Sequence, residues 1–95
     1  MRPYELMYLM PPTADEERLN AVSDRLRTAI TSLGGKVEKA TPPTRRRLAY
    51  EVAHHRDGHY GVLEFSLPPE QAREFERTIG LTEDILRHIV VRRDE

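Results

Sequence analysis

Cysteine is absent from this chain of 95 residues, which excludes disulfides, thiolate chemistry and zinc sites built on cysteine. A surplus of one charge is missing too. Fifteen Lys and Arg stand against sixteen Asp and Glu, and a net charge of -1 argues against coating nucleic acid by bulk charge alone. No apolar run approaches membrane-spanning length, and the opening Met1-Arg2-Pro3-Tyr4-Glu5 has no signal-peptide apolar segment, so a cytoplasmic protein without membrane contact is expected. No glycine-rich phosphate loop is present, because Gly34-Gly35 follows a helix instead of opening one. The carboxylates are spread among arginines with no paired-acid or nucleophile pattern, so neither catalysis nor a cofactor nor a small-molecule substrate is expected. Repeats, low-complexity stretches and linkers are lacking as well. The length suits one core, and residues 1–95 read as a single domain.

What is present is a regular alternation of strand and helix signals. Residues 4–10 form a compact apolar run stopped by Pro11-Pro12, which reads as a central strand. Thr13-Ala14-Asp15-Glu16 fits a capping box, with Thr13 and Glu16 satisfying each other's free backbone donors. Leu19, Val22, Leu26, Ile30 and Leu33 then recur at helical spacing, and Gly34-Gly35 closes a helix over residues 14–33. Residues 36–52 read as one long strand with a break or bulge at Thr41-Pro42-Pro43-Thr44, and proline places it at a sheet edge. Asp57-Gly58 is a hairpin-turn signal. Residues 60–67 follow as a strand with Gly61, Leu63, Phe65 and Leu67 on one face. Pro68-Pro69-Glu70 opens a second helix whose stripe is Ala72, Phe75 and Ile79, closed by Gly80. Residues 85–92, rich in branched aliphatics, make the last strand.

The order β-α-β-β-α-β implies an α+β protein of the ferredoxin-like split β-α-β kind, a four-stranded antiparallel sheet with both helices on one face. The other face has no covering element. Met7 and Leu9 oppose Leu6, Tyr8 and Met10, and Ile89 and Val91 oppose Val90; only one set of each pair can face the helices. Apolar groups therefore remain on the open side, either as a partner surface or as a small patch covered by arginine stems.

Arg45-Arg46-Arg47 runs straight into the alternating Leu48-Ala49-Tyr50-Glu51-Val52. Clustered guanidinium groups can grip phosphates through paired charge-assisted hydrogen bonds, or simply make a solvated surface. The segment Arg87-His88-Ile89-Val90-Val91-Arg92-Arg93 also carries three arginines and no acid. His54, His55 and His59 cluster at the expected turn, where a shared metal would need a helix face, so no metal site is expected. Tyr60-Gly61-Val62-Leu63-Glu64-Phe65 loosely fits the main motif of RNA-recognition domains, but Val62 stands where a base-stacking ring is required.

The ordered set Met1-Arg2-Pro3-Tyr4-Glu5, Gly34-Gly35-Lys36-Val37, Arg46-Arg47-Leu48-Ala49-Tyr50, Gly58-His59-Tyr60, Leu67-Pro68 and the ending Glu83-Asp84-Ile85-Leu86-Arg87-His88-Ile89-Val90-Val91-Arg92 resembles the bacterial small-subunit ribosomal protein six family over essentially the whole chain. Two departures from the family pattern are Pro43-Thr44 in place of glycine ahead of the double arginine, and Glu51 in place of proline. The resemblance implies a structural, non-enzymatic protein that binds the central domain of small-subunit (16S) ribosomal RNA together with small-subunit ribosomal protein eighteen. It implies RNA contacts at Arg2, Tyr4, Arg46, Arg47, Arg87 and Arg92, with arginines on phosphates and Tyr4 stacking or donating its hydroxyl. Met7, Leu9, Tyr50, Ile89 and Val91 are the expected partner-protein contacts. The alternatives are a stand-alone RNA-recognition-like module and an acylphosphatase-like enzyme of the same topology. The second needs an anion-cradling loop after the first strand, where Pro11 and Pro12 supply no amide donors.

Overall fold

The computed structural model describes residues 1–93. The elements in order are β1 (Arg2–Met10), α1 (Glu16–Ser32), β2 (Lys36–Val52), β3 (His55–Leu67), α2 (Ala72–Gly80) and β4 (Arg87–Arg92), with a 3-10 turn over Pro69–Gln71 leading into α2. The four strands pair antiparallel in the order β2-β3-β1-β4. This is the expected α+β arrangement, with β2 and β4 as the two edges.

Alternation decides the core. Tyr4, Leu6, Tyr8 and Met10 of β1 and Leu63, Phe65 and Leu67 of β3 point to one side, where Val22, Leu26 and Ile30 of α1 and Phe75 and Ile79 of α2 meet them. Cross-strand partners Tyr4 and Phe65 stack with centroids 5.6 Å apart, and Phe75 packs edge-on against Phe65 at 5.0 Å. Such ring pairs add about 0.5–1.5 kcal/mol each beyond the area they bury. Burial pushes the Tyr8 phenol above its ordinary range, against the opposing pull of a hydrogen bond with Ser23 and the charge of Arg27.

The helix start differs from expectation. Ala14 N–H donates to the Pro11 carbonyl at 3.1 Å, which commits Thr13 to a turn. Asp15 therefore caps α1, its carboxylate accepting from the Arg18 amide at 2.9 Å. At the other end Gly34, with φ at 86°, donates to Thr31, and Gly35 donates to Ile30, a Schellman closure of the glycine pair.

The hairpin also differs. The β2–β3 turn is Ala53-His54, both left-handed with φ of 49° and 68°, and Val52 pairs with His55 across it. Asp57-Gly58 lies inside β3, opposite Arg47 and Arg46. Gly58 is there for space: a Cβ would fall 2.7 Å from Leu9 Cδ1 and 2.8 Å from the Met10 carbonyl. The interruption expected at residues 41–44 is a register shift between Thr41 and Thr44, and two more shifts follow Val37 and Arg47. β4 begins at Arg87, later than residue 85, because Ile85 is still in a turn bonded to Thr82.

Candidate partner and nucleic-acid interface

The open side of the sheet can be assembled from register alone. Met7 pairs with Ile89, Glu5 with Val91 and Leu9 with Arg87 between the central strand β1 and the edge strand β4. Met7, Ile89 and Val91 are 40%, 55% and 42% exposed, a contiguous apolar strip on two adjacent strands. At one end the strip opens into a cleft of about 330 Å³, lined by Met7, Leu9, Tyr50, Tyr60, Arg87 and Ile89.

Tyr50 and Arg87 close that cleft from opposite edges of the sheet. The Arg87 guanidinium donates to the Tyr50 hydroxyl at 2.6 Å, and its carbon lies 5.4 Å from the ring centroid. At the other end Arg93 reaches across to Glu64 at 3.1 Å and Glu38 at 3.4 Å. The open face is thus apolar in its middle, bridged by an arginine and a tyrosine at one end and by an arginine and two carboxylates at the other.

Two expected contact residues are corrected by burial. Tyr4 is only 5% exposed and stacked on Phe65 inside the core, so its ring is not available to a base. Leu9 lies on the open side but is 1% exposed, because the backbone at Gly58 passes over it; it is the floor of the cleft. Met7, Tyr50, Ile89 and Val91 are exposed.

The expected RNA-contacting arginines do not form one patch. Arg46 faces Gly58, whose missing side chain would meet Leu9, so Arg46 lies on the open side with Arg87. Arg47 pairs with Asp57 in the ladder and lies on the opposite side of the hairpin. Its neighbour Arg45 is held by Asp57 at 2.7 Å, the partner that the sequence reading missed. Arg2 and Arg92 share the helix side by register, opposite Leu67 and Tyr4, at the far end of the sheet from the hairpin. His88 is a half-buried residue of β4, its Nε2 2.9 Å from Glu76 Oε1 on α2.

The geometry also weighs on the alternatives. Phe65, the last ring of the RNA-recognition-like motif, is fully buried, and Val62 offers no π-face, so the stacking trio does not exist. The loop after β1 borders a hollow lined by Asp15 and Asp84, with Arg18 bound to Asp84 at 3.2 Å. An acyl phosphate there would meet two carboxylates, while Arg2 sits at the other end of β1, about 27 Å away at strand rise. Among the described residues no group of three His, Asp or Glu side chains is placed to hold a metal ion, and no helix is long and apolar enough to cross a membrane.

Comparison with known proteins agrees with this geometry. The family model described as Ribosomal protein S6 matches residues 3–92. The chain is 41% identical over 92 residues to the small ribosomal subunit protein bS6 of Symbiobacterium thermophilum, covering 97% of both chains. It is 37% identical over 95 residues to bS6 of Carboxydothermus hydrogenoformans, covering 100% of this chain and 99% of that one. The crystal structure of 30S ribosomal protein S6 from Thermotoga maritima superposes with a TM-score of 0.91 at 29% identity, covering 97% of this chain and 87% of that one. With sequence, strand order and superposition in agreement, this chain belongs to the ribosomal protein S6 family.

Proposed function

We propose that this protein binds the central domain of small-subunit (16S) ribosomal RNA jointly with small-subunit ribosomal protein eighteen. Its family gives the coarser role: a structural, non-enzymatic protein of the small ribosomal subunit, a cytoplasmic ribonucleoprotein of translation. The observation that carries the finer reading is the uncovered sheet face. Met7, Ile89 and Val91 make an apolar strip there, and Arg46 and Arg87 flank it on the same side. An apolar strip of this kind favours a protein partner, and the adjacent guanidinium groups favour phosphate. A net charge of -1 gives the chain little long-range attraction for RNA, so a basic partner supplies the missing cations.

The test is binding to a central-domain ribosomal RNA fragment, with and without the partner protein, at two salt concentrations. Tight binding only in the partner's presence is expected. Equal binding without it would remove the joint surface, and binding in neither case would sink the RNA reading.

A further inference from the structure

Beyond the last pairing of β1 with β3, Met10 with His59, the β2–β3 hairpin continues as a ribbon of only two strands. Ribbons of this kind are marginal on their own. This one is weakened further by the register shift between Arg47 and Val52 and by two left-handed residues at its turn. Among the described residues, two contacts that tie it to the sheet stand out. Gly58 rests on Leu9 and Met10 at its base, and the Tyr50 hydroxyl accepts from Arg87 on the far edge strand. Tyr50 is 62% exposed, so burial does not hold its ring in place. The hydrogen bond and the guanidinium over the ring do.

We infer that Tyr50 is a positioning residue for nucleic-acid binding, a strap that fixes the ribbon against β4 so that Arg46 and Arg87 face one phosphate track together. The inference rests on the RNA-binding reading and assigns Tyr50 a role in the free protein rather than a contact with either ligand. Its physical basis is preorganisation. Two cations on separate flexible elements must be ordered during binding, whereas two cations already held at a fixed spacing lose less entropy when they engage. Arg87 is suited to both tasks. Its planar fork can donate to the phenol through one nitrogen and keep other N–H groups for a phosphate oxygen.

Tyr50→Phe keeps the ring and removes only the hydroxyl, and at an exposed position it leaves the fold intact. The first readout is ¹⁵N relaxation on the free protein. Order parameters over residues 46–57 are expected to fall from the rigid range, about 0.85, toward the flexible range, below about 0.6. The second is affinity for the central-domain RNA fragment, with the partner protein present, across a salt series. A loss of about three- to tenfold is expected, the net size of one ordinary hydrogen bond. The salt slope should stay unchanged, since no phosphate contact is removed.

Unchanged order parameters in Tyr50→Phe would overturn the strap. Affinity lost while those order parameters stay unchanged would instead make the Tyr50 hydroxyl a contact with the RNA, a neutral group whose loss moves no counterion. Wild-type protein that fails to bind the RNA would defeat the binding reading and the positioning role with it. The relaxation measurement, made without RNA, separates that failure from a failure of the strap itself.

Discussion

Gly61 lies opposite Tyr8 in the ladder between β1 and β3, and the Tyr8 phenol ring crosses the volume that a Cβ at Gly61 would fill. Space, and not backbone angle, demands the glycine. The ring has no room to retreat, since Tyr8 is fully buried in the core. Gly61→Ala is therefore expected to destabilise the fold by about 1–3 kcal/mol through overpacking. Urea unfolding should show a lower midpoint with an unchanged slope. A midpoint equal to wild type would mean that the ring can swing aside.

The apolar strip makes a prediction that separates surface from core. Met7 and Ile89 are cross-strand partners, and both are exposed. A carboxylate at either position, as in Ile89→Glu, places a charge in the middle of the proposed protein interface. Affinity for the partner protein should fall by at least about tenfold, or about 1.4 kcal/mol. The midpoint of thermal unfolding should barely move, because no core contact is lost. Calorimetric titration checks the first and a melting curve the second; undiminished affinity would move the partner to another face.

Arg46 and Arg47 are adjacent in sequence but lie on opposite sides of the ribbon. Their single substitutions should therefore differ. Arg46→Ala is expected to flatten the salt dependence of RNA binding by roughly 0.7–0.9 in slope, the release of about one counterion. Arg47→Ala should leave the slope near wild type if the RNA lies only against the open side. Equal losses from the two would show an RNA that wraps the ribbon.

Much of this was legible because strand alternation is local. The set Tyr4, Leu6, Tyr8 and Met10 reads from period two as one face, and the same rule puts Arg46 and Arg47 on opposite sides. Tyr4 stands in a family motif that implies RNA contact, although its alternation aligns it with the core residues. Other features depend on distant chain. Asp57-Gly58 carries the dipeptide signature of a turn, but its glycine answers to Leu9, a side chain on another strand. The burial of Leu9 follows from that same approach. The turn falls instead at Ala53-His54, where alanine has no preference for the left-handed region and neither glycine nor asparagine marks the place. The bond between Tyr50 and Arg87 joins residues 37 apart across the full sheet, and no local pattern announces it.

Tyr8 also gives the fold a defined alkaline limit. Burial raises its folded-state pKa above the ordinary value of 10.0, with the Ser23 hydrogen bond and the Arg27 charge opposing. The sign follows from proton linkage. Near pH 10 the unfolded chain releases the phenolic proton while the folded chain still holds it, so the unfolded state binds fewer protons and stability falls as pH rises. The contribution is fully present below pH 10 and is lost as pH climbs toward the raised folded value. The loss is at most about 1.4 kcal/mol for each pH unit within that window. Tyr8→Phe keeps the ring in the core and removes this titration. The stability gap between wild type and Tyr8→Phe should therefore stay constant below pH 10 and move against wild type as the pH climbs above it. Urea midpoints of both proteins across that range check it, with every other titrating group common to the pair. A constant gap would mean that the Tyr8 phenol ionises alike in the folded and unfolded chains.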